Sequence, residues 1–187
     1  GGIVSKIRGK NPSGLPSYVS MPQHHAYSNP QWLGQQHHFF AVNDDPNLPD
    51  FKVKNLALDA KLDLARVRDR GKLLAAIDRT QRFYDLGGNA ASLDEIGKQA
   101  LDLITGDRAR SAVEIEREPV ALREAYGRNT LGQRMLLARR LVESGVPFIK
   151  VRMGDWDDHA QLPDRLPKRA AMFDQAFTTL ISDLRER

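Results

Sequence analysis

The chain has 187 residues, of which 41% are hydrophobic and 28% charged, with a formal net charge of +4. This is the balance of a soluble globular protein, enough for one sizeable domain and not clearly two. No apolar run approaches the ~20 residues of a membrane span, and the lack of cysteine excludes disulfides, thiolate metal sites and a cysteine nucleophile within this stretch.

The N-terminal "GGIVSKIRGK" has no Met, no long apolar core and no small-residue cleavage site, so it does not read as a signal peptide. It reads as a cloning scar or as the middle of a longer chain. Residues 1–55 hold most of the prolines and both HisHis pairs. "NPSGLPSYVSMP" and "NDDPNLPD" are dense in turn formers, and only "SYV" and "FKV" offer short strands. This segment is expected to be mostly irregular and to lie over a partner surface, because it cannot pair its own backbone groups.

Residues 56–187 read as the helical part of the domain. Leu58, Leu62 and Ala65, then Leu73, Ile77 and Tyr84, recur at helical spacing up to Gly87 and Gly88. Ser92, with Glu95 following in the same first turn, forms a capping box. Short helices are predicted over 107–113 and 119–126, the second with Pro119 in its first turn. In "NTLGQRMLLARRLVESG", Leu131, Met135, Ala138 and Val142 form one stripe, which Leu137 and Leu141 widen. Asn129 or Thr130 caps its start and Gly145 its end. "VPFIKV" reads as a buried strand of about five or six residues. A last helix from about Leu166 puts Ala170, Phe173, Phe177, Leu180 and Leu184 on one face.

The expected fold class is therefore mainly α with one or two short strands. One strand cannot make a sheet, so the partners of "VPFIKV" are expected to lie outside the chain, leaving the sheet incomplete. Basic residues are interleaved with acids, as in "DAKLDLARVRDRGK" and "EIEREP", the pattern of solvated helix faces with ion pairs between turns. There is no run of five like charges and no aromatic-plus-basic stripe. Neither nucleic acid nor a membrane is an expected partner.

The chemistry is concentrated in "GDWDDH", residues 154–159, directly after the predicted strand. Asp157 and His159 offer a carboxylate oxygen and an imidazole nitrogen, ordinary ligands for zinc, manganese or iron. At i and i+2 in extended backbone they point the same way, at the end of a strand where open α/β sheets place ligands. Two donors do not complete a zinc shell, and a solvated acidic turn is the rival reading. Asp155 and Asp158 would orient His159 or sit in that turn; Trp156 is expected to pack under the loop. His24, His25, His37 and His38 suggest a metal, but adjacent histidines in extended chain point to opposite sides. Arg139 and Arg140 lie ~100° apart on a helix and are not expected to converge. One should pair with Glu143 or Asp183 and the other face water. Tyr126–Gly127 reads as a helix-end turn, and no catalytic or cofactor-binding residue stands out.

The string "YGRNTLGQRMLLARRLVESGVPFIKV", residues 126–151, together with "WDDH" resembles the bacterial family called domain of unknown function 1501. That family is sulfatase-like and close to the alkaline-phosphatase superfamily. The hallmark positions here include Tyr126, Gly127, Gly132, Gln133, Arg139, Arg140, Glu143, Gly145, Trp156, Asp157 and His159, while Asp158 replaces a threonine. "LPSYVSMP", "WLGQQHHFFAVNDDP", "RVRDRGKLLAAID" and "AVEIEREP" extend the resemblance over nearly the whole chain.

The resemblance implies the helical portion of an α/β alkaline-phosphatase-like domain. It also implies that the chain is an internal fragment of a metal-dependent hydrolase acting on a sulfate or phosphate ester. Asp157 and His159 would then be two ligands of a divalent metal (Zn, Mn, Fe or Ca) in the full-length parent, with no metal expected in this chain alone. Its partners would be the N- and C-terminal parts of its own domain. Family members carry an earlier Gly-Gly-Pro-Ser-His-x-Asp segment and later Glu-Phe-Gly-Arg-Thr-Pro and Asp-His segments, and none of these occurs here. A periplasmic location follows by the same analogy. The alternative reading is a non-catalytic helical module for protein interaction or scaffolding.

Overall fold

Val19, Ser20 and Met21 form a strand, β1 (Val19–Met21), that is paired on both sides. In this computed structural model the described residues are 1–9, 11–12, 14–22, 30–53, 69, 103, 106–154, 156–157 and 159–187. β1 runs parallel to β2 (Phe40–Ala41), with Val19 opposite Phe40, and parallel to β3 (Ile149–Val151), with Val19 opposite Ile149. The sheet order is β2-β1-β3. The ladder bonds are short: the Phe40 amide donates to the Tyr18 carbonyl at 2.8 Å and the Arg152 amide to the Met21 carbonyl at 2.8 Å. Parallel strands need long crossover connections. The one from β1 to β2 holds two 3-10 turns, Gln31–Leu33 and Gln35–His37. The one from β2 to β3 holds the helices α2 (Asp107–Val113), α3 (Val120–Ala125) and α4 (Thr130–Glu143).

The mainly α character with few strands holds, and four details of the sequence expectation are corrected. β3 has its sheet partner within the chain, so the expectation of a strand whose partners all lie elsewhere does not stand. The sheet has three strands, two of them supplied by residues 1–55, which also form a helix, α1 (Gly2–Arg8). Of the two candidate strands there, "SYV" feeds β1, whereas "FKV" is not in a strand; Phe40–Ala41 is. Finally, β3 has three residues and is half-buried, at the edge of the sheet formed by the described residues.

α4 is the centre of the packing. The Asn129 side chain accepts from the Gly132 amide at 3.0 Å, which fixes its first turn. Gly145, at φ +91, turns the chain out of it toward β3. Leu131, Leu136, Leu137, Ala138 and Leu141 are all buried, while Val142, expected on the stripe, is exposed. α4 packs on α2, α3, β3 and the last helix, α5 (Leu162–Glu186). Each fully buried leucine contributes about 1.5–3 kcal/mol over exposure.

α5 departs most from expectation. Its buried residues are Ala176 and Asp183. Ala170, Phe173, Phe177 and Leu184 are exposed, and Leu180 is half-buried. Leu162, Leu166 and Ile181 extend this stripe along the helix surface. No described helix is long and apolar enough to cross a membrane. The helices expected between residues 58 and 104, and the capping box at Ser92, lie outside the described residues.

Candidate functional site

The chain leaves the carboxyl end of β3 through Arg152 and Met153 and enters α5 at Leu162. Gln161, in the left-handed region at φ +57, makes the final turn into the helix. On the loop between, His159 Nε2 lies 3.1 Å from Asp157 Oδ1. Both side chains are open to solvent, at 86% and 92% exposure. The i, i+2 pair therefore does face one way, as the spacing predicts. A carboxylate and an imidazole that already meet need little rearrangement to share a cation.

The donor chemistry fits a divalent metal, and the donor number is short of the three or four that zinc takes. Among the described residues, no three His, Cys, Asp or Glu side chains form a group that would hold a metal. Asp155 and Asp158 lie outside the described residues, as do His24 and His25. His37 is engaged elsewhere: its Nδ1 lies 3.2 Å from Ser5 Oγ. Burial first, then the charge of Lys6, lower its pKa. His38 Nδ1 lies 3.0 Å from the carbonyl oxygen of Phe39. Neither meets Asp157 or His159 within a group that would hold a metal.

Trp156 does not pack under the loop. It is about half exposed and meets the ring of Phe173 edge-on at 6.2 Å. Phe173 in turn stacks on Phe177 at 5.2 Å. The loop and α5 thus share an open aromatic surface beside Asp157 and His159.

A second polar cluster is buried between α3, α4 and α5. Arg139, only 1% exposed, pairs with Glu118 at 2.7 Å, Glu143 at 2.6 Å and Asp183 at 3.1 Å. Burial opposes its charge, but hydrogen bonds and charges from Glu118 and Glu143 hold its pKa above the usual arginine value. Asp183 also accepts from the Tyr126 hydroxyl at 2.9 Å and pairs with Arg187 at 2.7 Å. The Tyr126 phenol is pushed up, first by burial and then by Asp183. Such groups tolerate burial because each charge meets an opposite one.

Here the expectation that Arg139 and Arg140 do not converge is overturned. Arg140 also pairs with Glu118, and it donates to the carbonyl oxygens of Ala112 at 3.0 Å and Ser111 at 2.5 Å. It does not face water. The two helix neighbours diverge at their Cα atoms, but Glu118 stands between them and offers one carboxylate oxygen to each. The expected partners Glu143 and Asp183 are both found on Arg139. Glu118 was the missing member, and no local spacing points to it from residue 139.

The remaining hallmark positions lock α3 to α4. Tyr126 ends α3, as the helix-end reading expects, and its side chain is fully buried. Gly127, at φ +93, redirects the chain. The Gln133 amide donates to the carbonyls of Arg123 and Gly127, both at 2.9 Å, and its oxygen accepts from Arg123 Nε at 2.8 Å. A side chain at Gly132 would overlap the carbonyl oxygens of Tyr126 and Gly127.

The model of a family described as protein of unknown function, DUF1501, matches residues 1–187. The chain belongs to the DUF1501 family. No curated protein and no solved structure matches it. In this DUF1501 chain the hallmark divides in two. Tyr126, Gln133, Arg139 and Arg140 are internal clamps, Glu143 reaches Arg139 from an exposed position, and Trp156, Asp157 and His159 face solvent.

Proposed function

We propose that this chain belongs to a sulfatase-like, alkaline-phosphatase-like metal-dependent hydrolase acting on sulfate or phosphate esters, and that Asp157 and His159 are two of its metal ligands. The observation that carries this reading is the 3.1 Å approach of His159 Nε2 to Asp157 Oδ1 on the loop that follows β3 of a parallel sheet. Ligands of open α/β sheets gather at that end of the strands. The ion would be Zn, Mn, Fe or Ca, and when bound it supplies positive charge to the ester oxygens and acidifies a bound water. Asp157 and His159 hold and orient it. Further ligands come from the N- and C-terminal parts of the full-length parent, which also cover the exposed stripe of α5. On this reading the chain by itself turns over neither sulfate nor phosphate esters, and the parent works in the periplasm.

The test is the metal content of the full-length parent, wild type against Asp157→Ala and His159→Ala. Loss of bound metal in both variants supports the reading. Equal metal in all three reduces "GDWDDH" to a solvated acidic turn.

A second reading, a non-catalytic interaction or scaffold module, draws on the apolar stripe of α5. Phe173, Phe177, Ile181 and Leu184 are all more than a third exposed, and exposed patches of this kind mark interaction surfaces. Metal-free parent protein with intact binding to a partner would favour it.

A further inference from the structure

Residues 1–43 contain no Asp and no Glu, although they carry Lys6, Arg8 and Lys10. The structure gathers part of this acid-free segment into one surface. α1 seats Gly2 and Ser5 on the two 3-10 turns: a side chain at Gly2 would touch Leu33, and the Ser5 hydroxyl is 3.2 Å from His37 Nδ1. Ile3 and Ile7, one helical turn apart, therefore point outward, 64% and 78% exposed. Trp32, on the first 3-10 turn, is 84% exposed. Lys6 joins the two parts, its ammonium 5.2 Å from the centre of the Trp32 ring. Arg8 is exposed at the end of the same helix.

Burial among the other described elements does not account for these side chains. An indole with an amphipathic edge, two aliphatic side chains on one helix face, and flanking cations without an intervening acid make the composition of a membrane-interface anchor. The sequence expectation of no membrane partner rested on the lack of a spanning segment and on basic residues interleaved with acids; a surface-bound mode needs no spanning segment, and residues 1–43 hold no acid.

We propose that the α1–Trp32 surface is a peripheral docking site for bilayers containing anionic phospholipid, with Ile3, Ile7 and Trp32 entering the headgroup region while Lys6 and Arg8 meet the lipid phosphates. Charge decides for this occupant: the only formal side-chain charges on α1 are positive, and an anionic leaflet attracts each such residue near its surface. The site is separate from Asp157 and His159 and does not depend on the metal reading.

The experiment is co-sedimentation of the chain with vesicles of phosphatidylcholine alone or with a quarter phosphatidylglycerol, at low and high salt. A Trp156→Phe background makes Trp32 the sole tryptophan, so its emission reports directly. The expected result is binding to anionic vesicles, a blue shift of Trp32, and weakening by salt. Lys6→Glu should weaken binding by roughly tenfold or more, and Trp32→Ser and Ile7→Ser should also weaken it. Phe177→Ser on the apolar face of α5 should leave it unchanged. All these positions are exposed, and circular dichroism checks that the variants fold. Equal binding to neutral and anionic vesicles, no binding to either, or binding lost in Phe177→Ser and kept in Trp32→Ser would each overturn the proposal. In the second case an acidic protein surface becomes the partner to seek.

Discussion

Arg139 and Glu118 lie 2.7 Å apart with side chains 1% and 8% exposed, so an arginine on α4 is neutralised by a glutamate that precedes α3. Glu143 and Asp183 complete the ring of carboxylates around the same guanidinium. Two helices, α4 and α5, and the segment before α3 are thereby tied to one cation.

Removing that cation should be costly. Arg139→Ala leaves Glu118, Glu143 and Asp183 close together without their shared counter-charge. Loss of one partner from a buried pair typically costs about 3–5 kcal/mol. Urea unfolding of the variant against wild type measures this. Adding Glu118→Gln to Arg139→Ala should cost less than the sum of the two single changes, because the residues are in contact.

Acid should weaken the same cluster. Burial alone would raise Glu118, but bonds and charges from Arg139 and Arg140 hold it below its ordinary 4.5. Asp183 behaves likewise: burial would raise it, and Arg187, Tyr126 and Arg139 keep it below 3.8. A depressed folded-state pKa means that the unfolded chain binds protons first. The contribution to stability is thus fully present above the ordinary values and is lost as pH falls through the folded ones. The urea midpoint should decline as pH drops below 4.5 and then 3.8, and Glu118→Gln should flatten that decline.

Gly132→Ala should fail for steric reasons. The added Cβ overlaps the carbonyl oxygens of Tyr126 and Gly127, which are backbone atoms and cannot rotate away. Overpacking of this kind costs about 1–3 kcal/mol and at times more. A lowered melting temperature, with Gly154→Ala as a control at an open position, checks this.

Asp157→Ala and His159→Ala should behave in the opposite way. Both side chains are almost fully exposed, and substitutions at such positions usually change stability by less than about 0.5 kcal/mol. Unchanged urea midpoints in this chain would separate these two residues from the buried half of the hallmark. A large loss of stability would assign them a structural role.

Much of the secondary structure was legible. The helix over 107–113 and the cap at Asn129 follow from neighbours within one turn, where propensity and capping act locally. The shared direction of Asp157 and His159 is likewise a matter of adjacent backbone. That one of Arg139 and Arg140 pairs with Glu143 or Asp183 was legible; that it is Arg139, and that it holds both acids, was not. Glu118 was not, because nothing in local spacing brings a residue from before α3 beside α4.

By itself the sequence determined that helices run through much of residues 107–186 and how α4 begins, since those depend on periodicity and caps within a few residues, although the last helix starts at Leu162, ahead of the expected Leu166. Only the tertiary structure decided which side of α5 is buried. A helical stripe states that a face is apolar, not that a partner stands against it; here Ala176 and Asp183 turn toward α3 and α4, and Phe173 and Phe177 turn outward. The sheet was decided in the same way. Val19, Phe40 and Ile149 are far apart in the chain, and their pairing rests on hydrogen bonds that form only when the long crossovers close.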